Sequence, residues 1–433
     1  MRNSANQSRK VSRSKVILTI TVALLLLAGK GATAAIPAGP LDGEFIEMGN
    51  SGVLRGSVWG ALAVTSDGDT LVNVNSRTRM LPASNLKLVT TGAALCRLGP
   101  DFRFVTSLAR CGEIREGCLE GDLYIVGGGD PSLCDRYKST GDSLATFSAW
   151  REIISACGIR RIKGRVVGDS RYFDQDNIEG SWSVEDICDD YSSGVSGLSI
   201  GDNLTSPPDE SPLHCAGQFT AYLRENGIPV SLEASSSPDC PQDSLILMGN
   251  TESVPLKRLI SVANHESENI YAEALFRQLG KGLCGKSDYD ASCEALRSVL
   301  GDLGMEAWLP EVRIVDGSGL SRKNCVPPEF LVSFLRMMSG RGEFGTYLAS
   351  LPQPGGGTLR NRLKGQSPEM KSRVHMKSGT MTGVRCFSGY ILPSEGHDGK
   401  MIAFSIMTNN VVGSDSELAI LIDDMIVLLA SEN

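Results

Sequence analysis

The sequence has no C-x-x-C pair and only four histidines among its 433 residues. The spacings from which zinc sites are built are therefore missing, and neither a metal nor another cofactor is expected. A dominant charge of one sign is missing too: 42 Lys and Arg stand against 50 Asp and Glu, for a net charge of −8. Broad nucleic-acid binding needs a basic face, so no nucleic-acid partner is expected. There is no internal repeat and no low-complexity tract. Apolar residues make up 41% of the chain, enough for a sizeable core. Only one uninterrupted apolar run is long, and it lies near the amino terminus. The carboxy-terminal ELAILIDDMIVLLA carries Asp423 and Asp424 and reads as a packed amphipathic helix.

That one run, VILTITVALLLLA, follows Arg2, Arg9, Lys10, Arg13 and Lys15 and precedes Ala32-Thr33-Ala34. A basic stretch, a short apolar stretch and an A-x-A site together predict a signal peptide over residues 1–34. The run, at about 13 residues, is short of the ~20 a membrane span needs. A periplasmic or extracellular location is expected, with no stable membrane span after cleavage. All twelve cysteines follow the signal, and an even, high count in an exported chain predicts disulfides. Cys111 and Cys118 flank GEIREG between two strand-like runs, which would allow a cross-strand bridge. Cys284 and Cys293 flank a short polar loop and form a second candidate pair. Spacing does not choose among the other eight.

Strand-like sequence frames a mostly helical middle. GSVWGALAVTSDGDTLVNVNS reads as a hairpin turned at S-D-G-D. VHMKSGTMTGVRCFSGYILPS and KMIAFSIMTN read as three more strands, and a helix from about Ser416 closes the chain. One antiparallel sheet built from both chain ends, with helices on it, is the economical α+β arrangement. Residues 104–205 hold short strand-like runs, one helical stretch and Gly-rich turns, and read as an inserted small α/β domain. The Pro/Ser/Asp-rich DNLTSPPDESP is expected to end it. The expected division is signal 1–34, catalytic part 36–103, insert 104–205 and catalytic part 206–433.

Three short motifs carry candidate chemistry. In P-A-S-N-L-K, Ser84 stands three residues before Lys87 where an apolar helical run begins. Positions i and i+3 share a helix face roughly 5–6 Å apart, so a lysine with a lowered pKa can take the serine proton. The first turn's positive end favours an alkoxide. Alone the spacing is weak: Ser12 and Lys15 repeat it, and an N-cap with a solvated lysine is the bland alternative. Ser267-Glu268-Asn269 falls where one helix breaks and another starts. There, Ser267 can relay a proton and Asn269 can hold a substrate amide; a helix cap is the alternative. Ser431 to Asn433 repeats S-E-N at the carboxy terminus. Lys377-Ser378-Gly379-Thr380 lies on an expected strand. Lys377 with a hydroxyl of Ser378 or Thr380 can hold a carboxylate, and Gly379 lets substrate backbone approach closely. An edge strand guarded by lysine is the alternative. In the order S-x-x-K, S-x-N, K-[ST]-G the three motifs form the signature shared by penicillin-binding proteins and β-lactamases.

The chain resembles the class C low-molecular-mass penicillin-binding proteins, the D-alanyl-D-alanine carboxypeptidase/endopeptidases, over nearly all of its length after the signal. GPDFRF (99–104), GDLYIVGGGDPSL (121–133), DGSGLSR (316–322), GGGTLRNR (355–362) and the insert after the first motif carry the resemblance beyond the triple. It implies the serine β-lactamase/penicillin-binding-type fold and an acyl-enzyme mechanism on peptidoglycan stem peptides and cross-links. Covalent inhibition by β-lactams is also implied. Ser84 would be the nucleophile, Lys87 the general base and Ser267 the proton relay. Asn269 would orient substrate, Lys377 with Thr380 would bind the terminal carboxylate, and Ser378 and Gly379 would also contact substrate. The backbone N–H groups of Ser84 and Thr380 would form the oxyanion hole. Asp186, Tyr191 and Arg322 would line a side-chain pocket for the third stem residue, or alternatively form a salt bridge closing the insert. Typical members carry two nested inserts; here the spacing from Ser84 to Ser267 leaves room for one. A serine β-lactamase shares the triple, but the E-x-x-L-N string of class A enzymes is absent. A catalytically silent peptidoglycan-binding relative would not need every catalytic side chain. G-L-S-I-G at 197–201 matches a nucleophile elbow, but the following DNLTSPPDESP cannot form the helix an elbow requires.

Overall fold

Both ends of the chain meet in one sheet. In this computed structural model, which describes residues 36–50, 52–133, 143–174, 176–187, 192, 194–201, 210–394 and 399–432, the expected amino-terminal hairpin is β1 (Val58–Thr65) and β2 (Thr70–Val74). The insert contributes β3 to β7. The carboxy-terminal segment supplies β8 (Val374–Met381), β9 (Val384–Ile391) and β10 (Ile402–Asn409). The strand order is β2-β1-β10-β9-β8, and all four pairings are antiparallel. The last strand of the chain is thus the middle strand of the sheet, and β8 is an edge.

Sequence dictates which strands go inside. Every residue of β10, IAFSIMTN, is buried, as is nearly all of β1. Such near-continuous apolar runs demand cover on both faces. On one face Phe45, from the helix Asp42–Asn50, and Leu418, Ile422, Met425, Ile426 and Leu429 of the closing helix Asp415–Ser431 pack against Ile402, Phe404 and Ile406. Each such fully buried aliphatic or aromatic side chain contributes about 1.5–3 kcal/mol, and Phe404→Ala would cost about 3–5 kcal/mol through the cavity it leaves. On the other face, the helix Pro328–Ser339 packs against β1, β9 and β10. Next to it the helix Leu86–Leu98, LKLVTTGAALCRL, is buried continuously from Leu86 to Leu95. A helix apolar all round belongs in the centre of a domain rather than at its surface.

The insert has its own sheet. β3 (Val105–Arg115) and β4 (Cys118–Val126) form a hairpin, and β5 (Arg161–Ile162) and β6 (Val166–Asp169) add parallel to β4. The expected end of the insert at residue 205 is corrected. β7 (Ile246–Glu252) pairs with β3, and the helix Ser211–Glu225 buries Cys215, Phe219 and Leu223 against Trp150 and Phe147 in the insert core. Described elements on both sides of residues 202–209 therefore belong to the insert's sheet and core, and its last strand ends at Glu252. Residues Ala38–Asn433 form one compact unit.

The hairpin register also corrects the first cysteine pairing. β3 continues through Arg115, which faces Cys118, so the turn is only Glu116-Gly117, both with positive φ. Such a two-residue turn matches the twist of its strands. Cys111 faces Asp122, four positions up the ladder from Cys118, a separation of about 13 Å that no disulfide spans. The Cys284 sulfur instead lies 3.5 Å from the Ala291 carbonyl, and all ten described cysteines are free thiols. The expected signal peptide lies outside the described residues, and no described helix is long and apolar enough to cross a membrane.

Candidate active site

Ser84 does not begin an α-helix. It occupies the centre of a single tight turn, Ala83–Asn85, immediately before the helix Leu86–Leu98, and its hydroxyl caps neither element. Ala83 has φ +46, a left-handed conformation that costs a non-glycine residue of order 1–3 kcal/mol and recurs at active sites. The Asn85 amide donates to the Ser388 hydroxyl of β9 at 2.7 Å and fastens the turn to the sheet. Gly379 of β8 abuts the same turn. A Cβ there would lie 2.8 Å from the Pro82 carbonyl oxygen and 3.1 Å from the Asn85 nitrogen. The close approach expected of Gly379 is therefore made by the nucleophile turn itself.

Lys87 is fully buried, and its ammonium makes three hydrogen bonds. It donates to Ser84 Oγ at 2.9 Å, to the Ser318 carbonyl at 3.0 Å and to Asn269 Oδ1. Three donors are all an ammonium has. When the amine is neutral it keeps two N–H bonds and one lone pair. The Asn269 and Ser318 oxygens accept the two N–H groups, so the lone pair faces the Ser84 hydroxyl. Burial pushes the Lys87 pKa down to about 8, against the opposing pull of Glu273, Asp316 and Glu268. About a tenth of the amine is then neutral at pH 7.

The S-x-N segment joins the helices Leu256–His265 and Asn269–Cys284, as the sequence indicates. Ser267 adopts φ +67, a second strained residue in the cleft, and accepts a hydrogen bond from Lys377 Nζ at 2.9 Å. Lys377 is buried, so it is no solvated guard of an edge strand. Its ammonium also reaches the Ser378 carbonyl at 2.7 Å. Burial, and then the charge of Lys87, hold its pKa well below the usual lysine range. The Ser378 hydroxyl donates to Thr358 Oγ1 at 2.9 Å, and Thr380 stands exposed at the sheet edge.

Ser84, Ser267, Asn269, Ser378 and Thr380 line one cleft of about 1080 Å³. Asp186 lines it from the insert, nearly buried, with Ser183 Oγ donating to its carboxylate at 2.5 Å. Arg322 is exposed and is not among the lining residues, and Tyr191 lies outside the described residues. Glu266, Glu268, Thr358, Arg362 and Arg385 also line the cleft and were not singled out by sequence. Glu268, the middle of S-E-N, had no evident reason to face substrate. GGGTLRNR at 355–362 was the available signal for Thr358 and Arg362. No cluster of metal-ligating side chains occurs among the described residues.

Two buried lysines, each on a different serine hydroxyl of one cleft, constitute acyl-transfer machinery. A family model described as D-Ala-D-Ala carboxypeptidase 3 (S13) matches residues 47–212 and 209–432. The chain belongs to this family. It is a serine hydrolase with the penicillin-binding-type α+β fold. A D-alanyl-D-alanine carboxypeptidase of Actinomadura sp. (strain R39) is 28% identical, over 93% of this chain and 87% of its own length. That alignment runs over 494 positions, more than the chain's 433 residues, so that relative carries segments absent here. Penicillin binding protein 4 of Haemophilus influenzae superposes with a TM-score of 0.76 at 22% identity, covering 89% of this chain and 99% of that one. A predatory peptidoglycan endopeptidase of Bdellovibrio bacteriovorus gives 0.55 at 16% identity, covering 87% of this chain and 93% of that one.

Proposed function

We propose that this chain is an exported D-Ala-D-Ala peptidase that cuts peptidoglycan stem peptides and their cross-links through an ester at Ser84. The observation that carries this reading is the aim of Lys87: two fixed oxygens take its N–H groups and leave its lone pair on the serine. As Ser84 Oγ attacks the penultimate D-Ala carbonyl, its proton passes to Lys87 Nζ. The tetrahedral oxyanion is held by the backbone N–H groups of Ser84 and Thr380, donors worth about 2.7–4 kcal/mol each. Collapse breaks the amide bond, and the proton held by Lys87 passes through the Ser267 hydroxyl to the leaving amine, which returns Lys87 to its neutral form. Water then attacks the ester, and Ser84 recovers its proton as the acid departs.

Lys377 and Thr380 hold the substrate's terminal carboxylate. Asp186, on the insert side of the cleft, receives the ammonium of a diamino acid at the third stem position. Its replacement by Asn should raise KM for such peptides roughly 10- to 100-fold, with kcat little changed. The basic, apolar, A-x-A amino terminus supports export.

The deciding experiment incubates the full chain with labelled benzylpenicillin, and in parallel with purified peptidoglycan, and reads both by mass spectrometry. A stable adduct on Ser84, absent from Ser84→Ala, with loss of terminal D-Ala or of cross-linked dimers, is the expected result. Rapid turnover of benzylpenicillin with intact peptidoglycan would make the chain a β-lactamase. No adduct in folded protein overturns the reading.

A further inference from the structure

The DGSGLSR stretch forms a turn that presses on the nucleophile from behind. A Cβ on Gly319, whose φ is +88, would come within 1.9 Å of the Ala83 carbonyl oxygen. The N–H groups of residues 317 to 321 are all bonded to side chains, Leu320 N to Ser318 Oγ at 3.3 Å. Asp316, fully buried, accepts from Gly319 N at 2.9 Å, Ser321 N at 2.6 Å, Asn324 Nδ2 at 2.8 Å and Trp182 Nε1 of the insert at 3.0 Å. Glu273, also fully buried, accepts from Ser318 N at 2.7 Å and from Gly317 N at 3.1 Å through each of its oxygens. Thr90, on the nucleophile's own helix, donates to the Gly317 carbonyl at 2.7 Å.

What this clamp holds is the Ser318 carbonyl, one of the two oxygens that orient the neutral Lys87 amine. The other oxygen belongs to Asn269, four residues before Glu273 and so on the same face of the same helix. One helix thus sets both acceptors, one directly and one through the 317–318 peptide. Among the described residues Glu273 has no ion-pair partner, and its two oxygens are committed to backbone N–H groups. A buried carboxyl in this state is costly unless its hydrogen bonds are well made.

We propose that Glu273 is a positioning residue for the general base: it fixes the 317–318 peptide so that the Ser318 carbonyl turns the lone pair of Lys87 onto Ser84. This rests on the reading of Ser84 as nucleophile and Lys87 as base. Glu273 touches neither substrate nor the reacting atoms. The charged groups that face Lys87 are Glu273 and Glu268 at the Asn269–Cys284 helix, Asp316 of the turn and Lys377 of β8.

The test separates reach from titration. Glu273→Gln keeps an acceptor oxygen at the same distance and loses the ionisable carboxyl. Glu273→Asp keeps the carboxyl and falls one methylene short. In single-turnover acylation of the full chain by labelled benzylpenicillin, E273Q should acylate at close to the wild-type rate. E273D should be slower by roughly 10- to 100-fold with its non-covalent encounter constant unchanged. The acidic limb of its pH–rate profile should move to lower pH, because the Lys87 ammonium loses an acceptor; a merely structural defect would leave that limb in place. Wild-type acylation and limb in folded E273D, or E273Q as slow as E273D, overturns the proposal. If E273D does not fold, Thr90→Val, which releases the Gly317 carbonyl from the other side, carries the test: a slower acylation step is expected, and a wild-type rate overturns it. Failure of the wild-type chain itself to acylate would instead remove the reading on which the proposal rests.

Discussion

Lys377 Nζ donates to the Ser267 hydroxyl at 2.9 Å, and Ser267 holds that position in a left-handed conformation at φ +67. Under the proposed mechanism the strained backbone at this residue carries the relay hydroxyl. Ser267→Gly therefore divides two effects. It relieves the strain, so the melting temperature should stay or rise. It removes the proposed proton relay, so acylation should slow roughly 10²- to 10⁴-fold. Thermal unfolding beside single-turnover kinetics checks both; a fully active S267G excludes a relay role.

Acylation should depend on pH through Lys87. As the proposed general base the group works as the neutral amine, and its pKa is lowered to about 8 by burial. Below that value the neutral fraction, and with it the acylation rate, falls about tenfold per pH unit; above it the rate levels off. Lys87→Arg, which keeps a cation that does not deprotonate, should lose acylation at every pH. A stopped-flow profile with benzylpenicillin from pH 5 to pH 10, a range chosen to span lysine titration, checks the limb.

Gly319→Ala should damage the site without touching it. The new Cβ meets the Ala83 carbonyl oxygen at 1.9 Å, and φ +88 is a conformation that alanine resists. Either the 316–321 turn or the Ser84 turn must move, and the peptide between Ala83 and Ser84 belongs to the nucleophile. A lower melting temperature with acylation reduced by roughly two orders of magnitude is expected.

The cysteine pair the fold does bring together is Cys111 with Cys240. The hydrogen bond from Cys240, followed by desolvation, pushes the Cys111 thiol up to about 11, and the two residues meet in a small cluster with Tyr124 and Val167. Treatment with oxidised glutathione should join them, with reduced glutathione as the other product. A non-reducing digest should then yield one linked peptide that C240S lacks. Closure of a loop on the order of a hundred residues would add up to about 5 kcal/mol, read as a higher midpoint in urea.

The catalytic motifs were legible because each couples a residue spacing to an element boundary. S-x-x-K opens a buried apolar run, S-x-N breaks two amphipathic helices, and K-S-G lies in an alternating strand. The sheet built from both chain ends was legible for the same reason. The insert's end was not, since β7 returns to β3 across more than a hundred residues and the intervening helix is tied to the insert core by side chains such as Cys215, Phe219 and Leu223. Cys111 and Cys240 were likewise out of reach, being neighbours only once β3, β4 and the following segment have folded. Glu273 was hidden because its partners are backbone N–H groups, which carry no residue identity.

The central position of β10 gives this enzyme an order of assembly. Ser84 and Lys87 come early in the chain, but within the sheet β8 and β9 are hydrogen-bonded to β1 through β10, whose last residue is Asn409. Until that strand is made, the turn bearing the serine has no Gly379 to press on and Lys377 has no place beside Ser267. A chain cut short before β10 should therefore hold Ser84 without the wall that Lys377 and Gly379 supply, and the cleft closes only when the last strand enters the sheet.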